Sequence, residues 1–262
     1  NSYNVAVGRS AGGAVTTGLQ NTLIGGLAGD ALTDADNNVA MGYAALTSDS
    51  LGSKSVAIGK SALQNQNFTT ATDSLNVAVG FTAGLSVTTG LENTIIGALS
   101  LDALQDGDNN TAVGYSTLSA DTKGQNNVAV GHNALSTQNF TTLTSSYNVA
   151  VGSQAGKDVT TGIQNTLLGG AAGDALTDAD QNVVVGYAAL STDVLGSRST
   201  AIGYGALNEQ NFTTATDSYN TAVGYNSGNR VTTGTNNTLI GGLAGDALTD
   251  ADANVAIGKS AL

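Results

Sequence analysis

The sequence contains no cysteine, no proline and no tryptophan, and it has few cationic side chains. The lack of cysteine excludes disulfide bonds, thiolate zinc sites and cysteine nucleophiles. Lys and Arg number 8 against 20 Asp and Glu, which gives a net charge of −12. Such a chain has no basic patch to displace the counterions of a nucleic acid, and no apolar run approaches the roughly 18 residues of a membrane helix. We therefore expect neither nucleic-acid binding nor direct membrane insertion.

The sequence contains a short motif that occurs fifteen times. Each copy is a tetrad followed by glycine: Asn or Ser, then Val or Thr, then an apolar residue, then a larger aliphatic residue. Successive tetrad glycines are 17, 17, 17 and 21 residues apart, and this pattern recurs with a period of 72 residues. We call the short unit a coil and four coils a super-repeat. Such regularity predicts a solenoid, in which each coil packs against its neighbours. The tetrad glycines are Gly8, Gly25, Gly42, Gly59, Gly80, Gly97, Gly114, Gly131, Gly152, Gly169, Gly186, Gly203, Gly224, Gly241 and Gly258.

The tetrad positions form four columns when the coils are aligned. β-Branched residues between Asn and Gly predict a short strand, and the Gly and Asn bends suggest two short strands per coil. Side chains alternate along a strand, so columns two and four share one face and column three points the other way. Both faces are apolar, which predicts a strand buried on both sides. One slender coil has one interior, so we expect the second face to contact other copies of the chain. A thicker single-chain solenoid with a second layer is the alternative.

The first column is Asn in thirteen coils and Ser in two, at Ser55 and Ser199. Stacked from coil to coil, these amides are expected to form a ladder that satisfies neighbouring backbone groups. We interpret residues 1–262 as a single array. The chain begins at the tail of one coil and stops inside another, which suggests a segment of a longer fibre.

The phrases SVAIG (55–59) and NVAIG (254–258) resemble the head repeats of YadA-like trimeric autotransporter adhesins. NTAVGYSTL (110–118) and NTAVGYNSG (220–228) are also similar to repeat regions of phage tail fibres. The adhesin resemblance implies a left-handed parallel β-roll that forms a homotrimer. Together the two resemblances imply an extracellular location, on a bacterial surface or in a virion tail fibre. The adhesin coils are nearer fourteen residues, so the additional residues here are expected to enlarge a loop.

The second coil of each super-repeat carries the pattern Asp-x-Asp-x-Asn in a tight loop. Alternate side-chain oxygens suit calcium, a hard cation that takes six to eight oxygen ligands. The pattern lacks the glycine and the distal Glu of an EF-hand loop, and a row of Asx turns that keeps a fibre soluble is the alternative. The candidate ligands are Asp34, Asp36, Asn38, Asp106, Asp108, Asn110, Asp178, Asp180, Asn182, Asp250, Asp252 and Asn254.

The fourth coil carries the four-residue extension, and in it Phe68, Phe140 and Phe212 recur every 72 residues among Asn, Gln and Thr. An aromatic ring in this setting is a candidate platform for stacking a sugar, and packing of the loop against a neighbouring coil or chain is the alternative. His132 is the only histidine, and its equivalents Lys60 and Tyr204 are chemically unrelated. No nucleophile–base set is present, so we expect no enzyme.

The sequence therefore predicts an all-β protein: a parallel β-solenoid of about fifteen 17- or 21-residue coils that forms a homotrimer. The expected function is that of a rigid shaft or head in an extracellular adhesive fibre, with a host-surface glycan or protein as the outside partner. A phage tail-fibre shaft and a calcium-dependent carbohydrate-binding solenoid are the alternatives.

Overall fold

A computed structural model describes residues 2–262 of the chain, which form strands and turns with no helix among them. The prediction of an all-β parallel solenoid is confirmed: the structure has about fifteen turns, and each tetrad forms a three-residue strand from column two to column four. The chain divides into two compact units. The first holds residues 2–127 and 139–145, and the second holds residues 128–138 and 146–262.

In the first unit, the tetrad strands follow one another in parallel. Residues pair column by column, for example Val5 with Thr22 and Ala6 with Leu23, as the repeat predicts. A second ladder of two-residue strands joins the third and fourth coils. The tetrad strands are β1 (Val5–Val7), β2 (Thr22–Ile24), β3 (Val39–Met41), β5 (Val56–Ile58), β7 (Val77–Val79), β8 (Thr94–Ile96) and β9 (Thr111–Val113), and the two-residue strands are β4 (Gly52–Ser53), β6 (Thr72–Asp73), β10 (Gly124–Gln125) and β12 (Thr144–Ser145).

The second unit has the same organisation, with parallel pairing in the same register. Its two-residue strands again belong to a third and a fourth coil. The tetrad strands are β11 (Val128–Val130), β13 (Val149–Val151), β14 (Thr166–Leu168), β15 (Val183–Val185), β17 (Thr200–Ile202), β19 (Thr221–Val223), β20 (Thr238–Ile240) and β21 (Val255–Ile257), and the two-residue strands are β16 (Gly196–Ser197) and β18 (Thr216–Asp217). The expectation of two strands per coil is therefore wrong for the first and second coils of the described chain.

The tetrad glycine is required by the close approach of successive coils. Gly8 has φ +135°, a conformation that side chains with a Cβ rarely adopt. A Cβ added to Gly8 would lie 2.5 Å from the carbonyl oxygen of Gly25. Because the same contact recurs from coil to coil, glycine is the residue that lets the chain turn while its backbone lies against the next coil.

The interior of each coil is filled by the column-three side chain, which is buried in every strand except β1. Large and small residues are matched across neighbouring coils. Leu23 is large, and the turns on either side of it carry Gly12 and Gly29, where an added Cβ would lie 2.7 and 2.8 Å from its methyl groups. In the fourth coil, where column three is alanine as at Ala57, the turns on either side carry the buried leucines Leu46 and Leu63. Neighbouring coils thus share the space between them, since a large strand residue in one coil is matched by small turn residues beside it.

The leucines of these turns have left-handed backbone conformations. Leu46, Leu63, Leu190 and Leu207 have φ between 47° and 51°. A left-handed conformation costs a non-glycine residue about 1–2 kcal/mol. All four leucines are fully buried, and burying a leucine side chain contributes about 1.5–3 kcal/mol. Core packing therefore offsets the backbone strain of these turns.

Candidate functional site

The outer face of the tetrad strands is a regular, uncharged surface that recurs in every coil. We define it as the first and last residue of each three-residue strand, that is, columns two and four. Column four is aliphatic in every coil and column two is Val or Thr, so the face carries no charge. None of its residues is buried, and on inner strands Met41, Ile96 and Val183 are 38%, 40% and 39% exposed. Columns two and four thus remain accessible in a single chain, and among residues 2–262 no second layer covers them, as the thicker single-chain alternative would require. Burial of this face by other copies of the chain stays a prediction.

The first column forms the predicted amide ladder. Asn21 accepts a hydrogen bond from the backbone N–H of Asn38 at 2.9 Å, and its Nδ2 donates to the carbonyl oxygen of Ala35 at 2.7 Å. Asn165 makes the equivalent bonds in the second unit, to Asn182 N and the oxygen of Ala179. These amides hold one coil against the next in addition to the strand ladder, so their role is structural.

The Asp-x-Asp-x-Asn residues each have a separate protein partner. Asp34 Oδ1 accepts a hydrogen bond from Thr17 Oγ1 at 2.5 Å, and Asp36 Oδ1 accepts one from Leu19 N at 2.6 Å. Asn38 belongs to the amide ladder, where its Nδ2 donates to a backbone carbonyl at 2.9 Å. The row thus fastens the second coil to the first one.

The other copies of the row follow the same arrangement. Asp106 accepts from two threonine hydroxyls of the preceding coil, and Lys123 Nζ lies 3.8 Å from its Oδ2. Asp108, Asp180 and Asp252 accept a backbone N–H of the preceding coil. Asp178 accepts a threonine hydroxyl from that coil, whereas Asp250 accepts that of its neighbour Thr249. Asn110, Asn182 and Asn254 lie in the amide ladder. Among the described residues no three His, Cys, Asp or Glu side chains are grouped as a metal site, and calcium binding stays a prediction.

The phenylalanine rings lie inside their loops. Phe68, Phe140 and Phe212 are only 6–7% exposed. A ring in this position offers almost no surface for a sugar unless the loop opens. Glycan contact at these three residues stays a prediction, and the packing role that we gave as its alternative describes their surroundings.

Each phenylalanine loop is anchored by a buried aspartate that the sequence analysis missed. Asp49 Oδ1 accepts hydrogen bonds from the backbone N–H groups of Gly52 and Phe68, both at 3.0 Å. Its Oδ2 accepts one from Gln66 Nε2 at 2.6 Å, and Gln66 Oε1 accepts one from Asn76 Nδ2 at 3.0 Å. Asn76 of the amide ladder thus donates to Gln66, and Gln66 donates to the carboxylate of Asp49.

The same arrangement recurs at Asp193 and Gln210, where Gln210 Nε2 lies 2.5 Å from Asp193 Oδ2. Burial raises the pKa of Asp193, against hydrogen bonds from three backbone N–H groups and Gln210 that lower it. The sequence signal was available. Seven residues after the tetrad glycine stands Val or Leu in the first two coils but Asp or Gln in the last two.

Aromatic rings occupy the column immediately after the tetrad glycine, beside the outer face. In the second unit, Tyr187 stacks on Tyr204 with ring centroids 5.7 Å apart, and Tyr204 stacks on Tyr225 at 5.4 Å. In the first unit, Lys60 Nζ lies 5.5 Å from the centroid of the Phe81 ring. These rings are more than half exposed, so this margin of the outer face is accessible and aromatic.

No helix among residues 2–262 is long and apolar enough to cross a membrane. Comparisons of the chain with protein-family models, with curated proteins and with solved structures found no match in any of the three.

Proposed function

We propose that this chain is a structural segment of an extracellular adhesive fibre, built as a left-handed β-solenoid and assembled as a homotrimer. Its work is mechanical: it holds a binding tip, directed at a host-surface glycan or protein, at a fixed distance from its anchor. We propose that the chain has no catalytic activity.

The observation that carries the proposal is the outer face. It is uncharged in all fifteen coils, and the chain's own residues leave it accessible. Contiguous exposed apolar surface of this kind typically marks an interaction site. Other copies of the same chain are the occupants we favour, because parallel copies in register would place aliphatic residues against aliphatic residues at every level. A partner whose strands did not recur at the spacing of about 4.8 Å would lose that match after a few coils.

The internal structure of the coils supports a mechanical role. Within each unit, successive coils are joined by strand hydrogen bonds and a filled core, and by the amide ladder except where Ser55 and Ser199 interrupt it. No single long loop carries the connection between coils, so local opening at one level leaves the others paired. A bacterial surface adhesin is our first choice of context. A phage tail-fibre shaft shares these physical requirements, and the domains attached to the segment would distinguish the two.

The test is the solution mass of the segment by light scattering. We expect about three times the chain mass of 25.8 kDa. Ile58→Asp and Ile202→Asp place a charge on the outer face and are expected to give monomers. The control, Thr142→Asp, places the same charge at an exposed loop position and is expected to leave the trimer intact. A monomeric wild-type chain would overturn the proposed assembly.

The same experiment run with calcium and then with a chelator examines the Asp-x-Asp-x-Asn row. A mass or melting temperature that changes on chelation, and does so less in Asp34→Asn and Asp178→Asn chains, would support a calcium site. Identical behaviour in both solutions would leave the aspartates with the role seen here, as acceptors for the preceding coil.

A further inference from the structure

The column immediately after the tetrad glycine, which we call the ring column, carries three stacked tyrosines in the second unit, followed by a glycine. Tyr187, Tyr204 and Tyr225 stack in order, with planes within 19° of parallel and more than half of each residue exposed. The next two positions of the column, one and two coils further on, are Gly242 and Lys259. The stack is therefore followed by a position without a side chain and then by a cation.

Elsewhere in this column a glycine is covered by the ring of the following coil. A Cβ added to Gly26 would lie 3.4 Å from Tyr43 Cδ2, and one added to Gly170 would lie 3.3 Å from Tyr187 Cδ2. A Cβ added to Gly242 would meet only a backbone oxygen at 3.9 Å. Of the three glycines in this column, Gly242 alone lacks an aromatic cover.

The cover is missing because lysine replaces tyrosine in the following coil. Lys259 occupies the position that Tyr43 and Tyr187 hold in their super-repeats. One face of the Tyr225 ring stacks on Tyr204 in the preceding coil, so the opposite face is on the side of the next coil, where Gly242 stands in the column. That face has no aromatic partner within the described part of the second unit.

The dimensions suit one inserted ring. Strands of adjacent coils are about 4.8 Å apart, so two coils separate Tyr225 from Lys259 by roughly 10 Å. A ring that contacts both neighbours needs about 3.5–4 Å on each side, which is the distance of carbon–carbon contact. The floor is the backbone at Gly242, and the outer edge is open to water.

The chemistry of the opening favours a sugar ring over a wholly apolar one. One side carries the face of a phenol ring, and the column position on the other side carries a lysine, whose exposed side chain brings an ammonium group with three hydrogen-bond donors. A pyranose has an apolar face of C–H groups and a polar edge of hydroxyls, which matches these two sides. The net charge of −12 disfavours an anionic ligand, so a neutral saccharide fits better than an acidic one.

We propose that Tyr225, Gly242 and Lys259 form a saccharide-binding site in which a neutral pyranose stacks on Tyr225 above Gly242 and accepts a hydrogen bond from Lys259. The site occurs once in the described chain, unlike the repeated Phe68-type loops. It adds a ligand to the proposed fibre but does not depend on the trimer.

The test uses methyl β-D-glucopyranoside as the probe, with saturation-transfer NMR and tyrosine fluorescence as readouts. A single sugar ring of this size is expected to bind with a dissociation constant of about 1–10 mM. Because the chain has no tryptophan, its emission comes from eight tyrosines, five of which lie in the ring column, and the part of the quenching that Tyr225→Ala removes reports on the site.

The decisive variant is Gly242→Tyr, which fills the opening with the chain's own ring. Gly242 does not have the positive φ of its neighbour Gly241, and an added Cβ meets no side chain, so we expect the variant to fold normally. It should lose at least tenfold in affinity. The matched control is Ala98→Tyr, which adds a ring to the same column in the first unit and should leave the affinity unchanged.

Two further variants test the contributions of Tyr225 and Lys259 to binding. Tyr225→Ala should abolish binding, and Lys259→Gln should weaken it severalfold. The site is overturned if the wild-type chain does not bind the probe up to 50 mM (about five times the weakest expected constant), or if Gly242→Tyr binds as well as the wild type. Tighter binding of β-D-glucuronate than of the neutral probe would overturn the assignment of a neutral ligand.

Light scattering on the same samples separates this inference from the proposed function. A monomer that binds the sugar refutes the trimer alone, and a trimer that does not bind refutes the saccharide site alone.

Discussion

The matching of large and small core residues makes a quantitative prediction at Leu167. This side chain is fully buried on β14, and an added Cβ at Gly156 would lie 2.5 Å from its Cδ1. Leu167→Ala removes three carbons from a closed core. At about 0.8 kcal/mol per buried methylene the transfer loss is about 2.4 kcal/mol, and the cavity raises the expected loss of unfolding free energy to about 2–5 kcal/mol.

The second perturbation is Gly156→Leu, which copies the turn of the third and fourth coils. Alone it should be destabilising by about 3 kcal/mol or more, because the new side chain overlaps Leu167 and φ at this position is +56°. In the double variant the new leucine occupies the space that Leu167→Ala vacates, as Leu190 and Leu207 do beside Ala201. We therefore expect the double variant to be at least about 2 kcal/mol more stable than the sum of the single losses predicts.

The assay is equilibrium urea unfolding followed by circular dichroism and by tyrosine fluorescence, with amide exchange at β14 as a local measure. Leu143→Ala is the control, since Leu143 is 59% exposed and should change stability by less than about 0.5 kcal/mol. If the two single losses add within about 0.5 kcal/mol, the two positions do not share one core volume and the reasoning fails.

Three further predictions concern the polar core, the amide ladder and the tetrad glycine. Asp193→Asn should lower the unfolding free energy by about 1–3 kcal/mol, because the new amide would face the Nε2 donor of Gln210, which cannot flip without losing Asn220. Because burial raises the pKa of Asp193, its contribution to stability is full below the unfolded-state pKa near 3.9 and is lost as pH rises through the folded-state pKa. The deficit of the Asn variant in urea unfolding should therefore widen between pH 7 and pH 4, and a constant deficit would contradict this sign. Asn165→Ala removes the acceptor of Asn182 N and the donor to Ala179 O, so hydrogen exchange at the Asn182 amide should accelerate at least tenfold; unchanged protection would mean that the ladder is dispensable. Gly203→Ala places a Cβ 2.3 Å from the oxygen of Gly224 at φ +134° and should cost about 3 kcal/mol in thermal or urea unfolding, whereas Gly242→Ala should be near neutral.

The strand register was predictable because the repeat supplies it directly. Once Val149 aligns with Thr166 in the sequence, parallel pairing of equivalent residues follows, and the structure has that pairing. The amide ladder follows from the same alignment. The composition of column three also showed which side chains would be small.

The parts that sequence analysis missed depend on the backbone path between the strands. Side-chain direction in a strand alternates by rule, but no such rule applies to a turn with left-handed residues such as Leu46 and Leu63. The sequence alone therefore does not show that Asp49 and Gln66, which follow their strands, are fully buried. Phe68 was taken as a candidate surface ring for the same reason.

The four coils of a super-repeat also depend on their order. A leucine strand needs glycine turns before and after it, and the aspartate of a third coil needs the glutamine of the fourth coil. Deleting a first coil would set the leucine turn of a fourth coil against a leucine strand, and deleting a fourth coil would leave a buried carboxylate without its amide, even though the strand register would survive. Duplication and recombination of the gene can therefore change the length of the array without penalty only in whole periods of 72 residues.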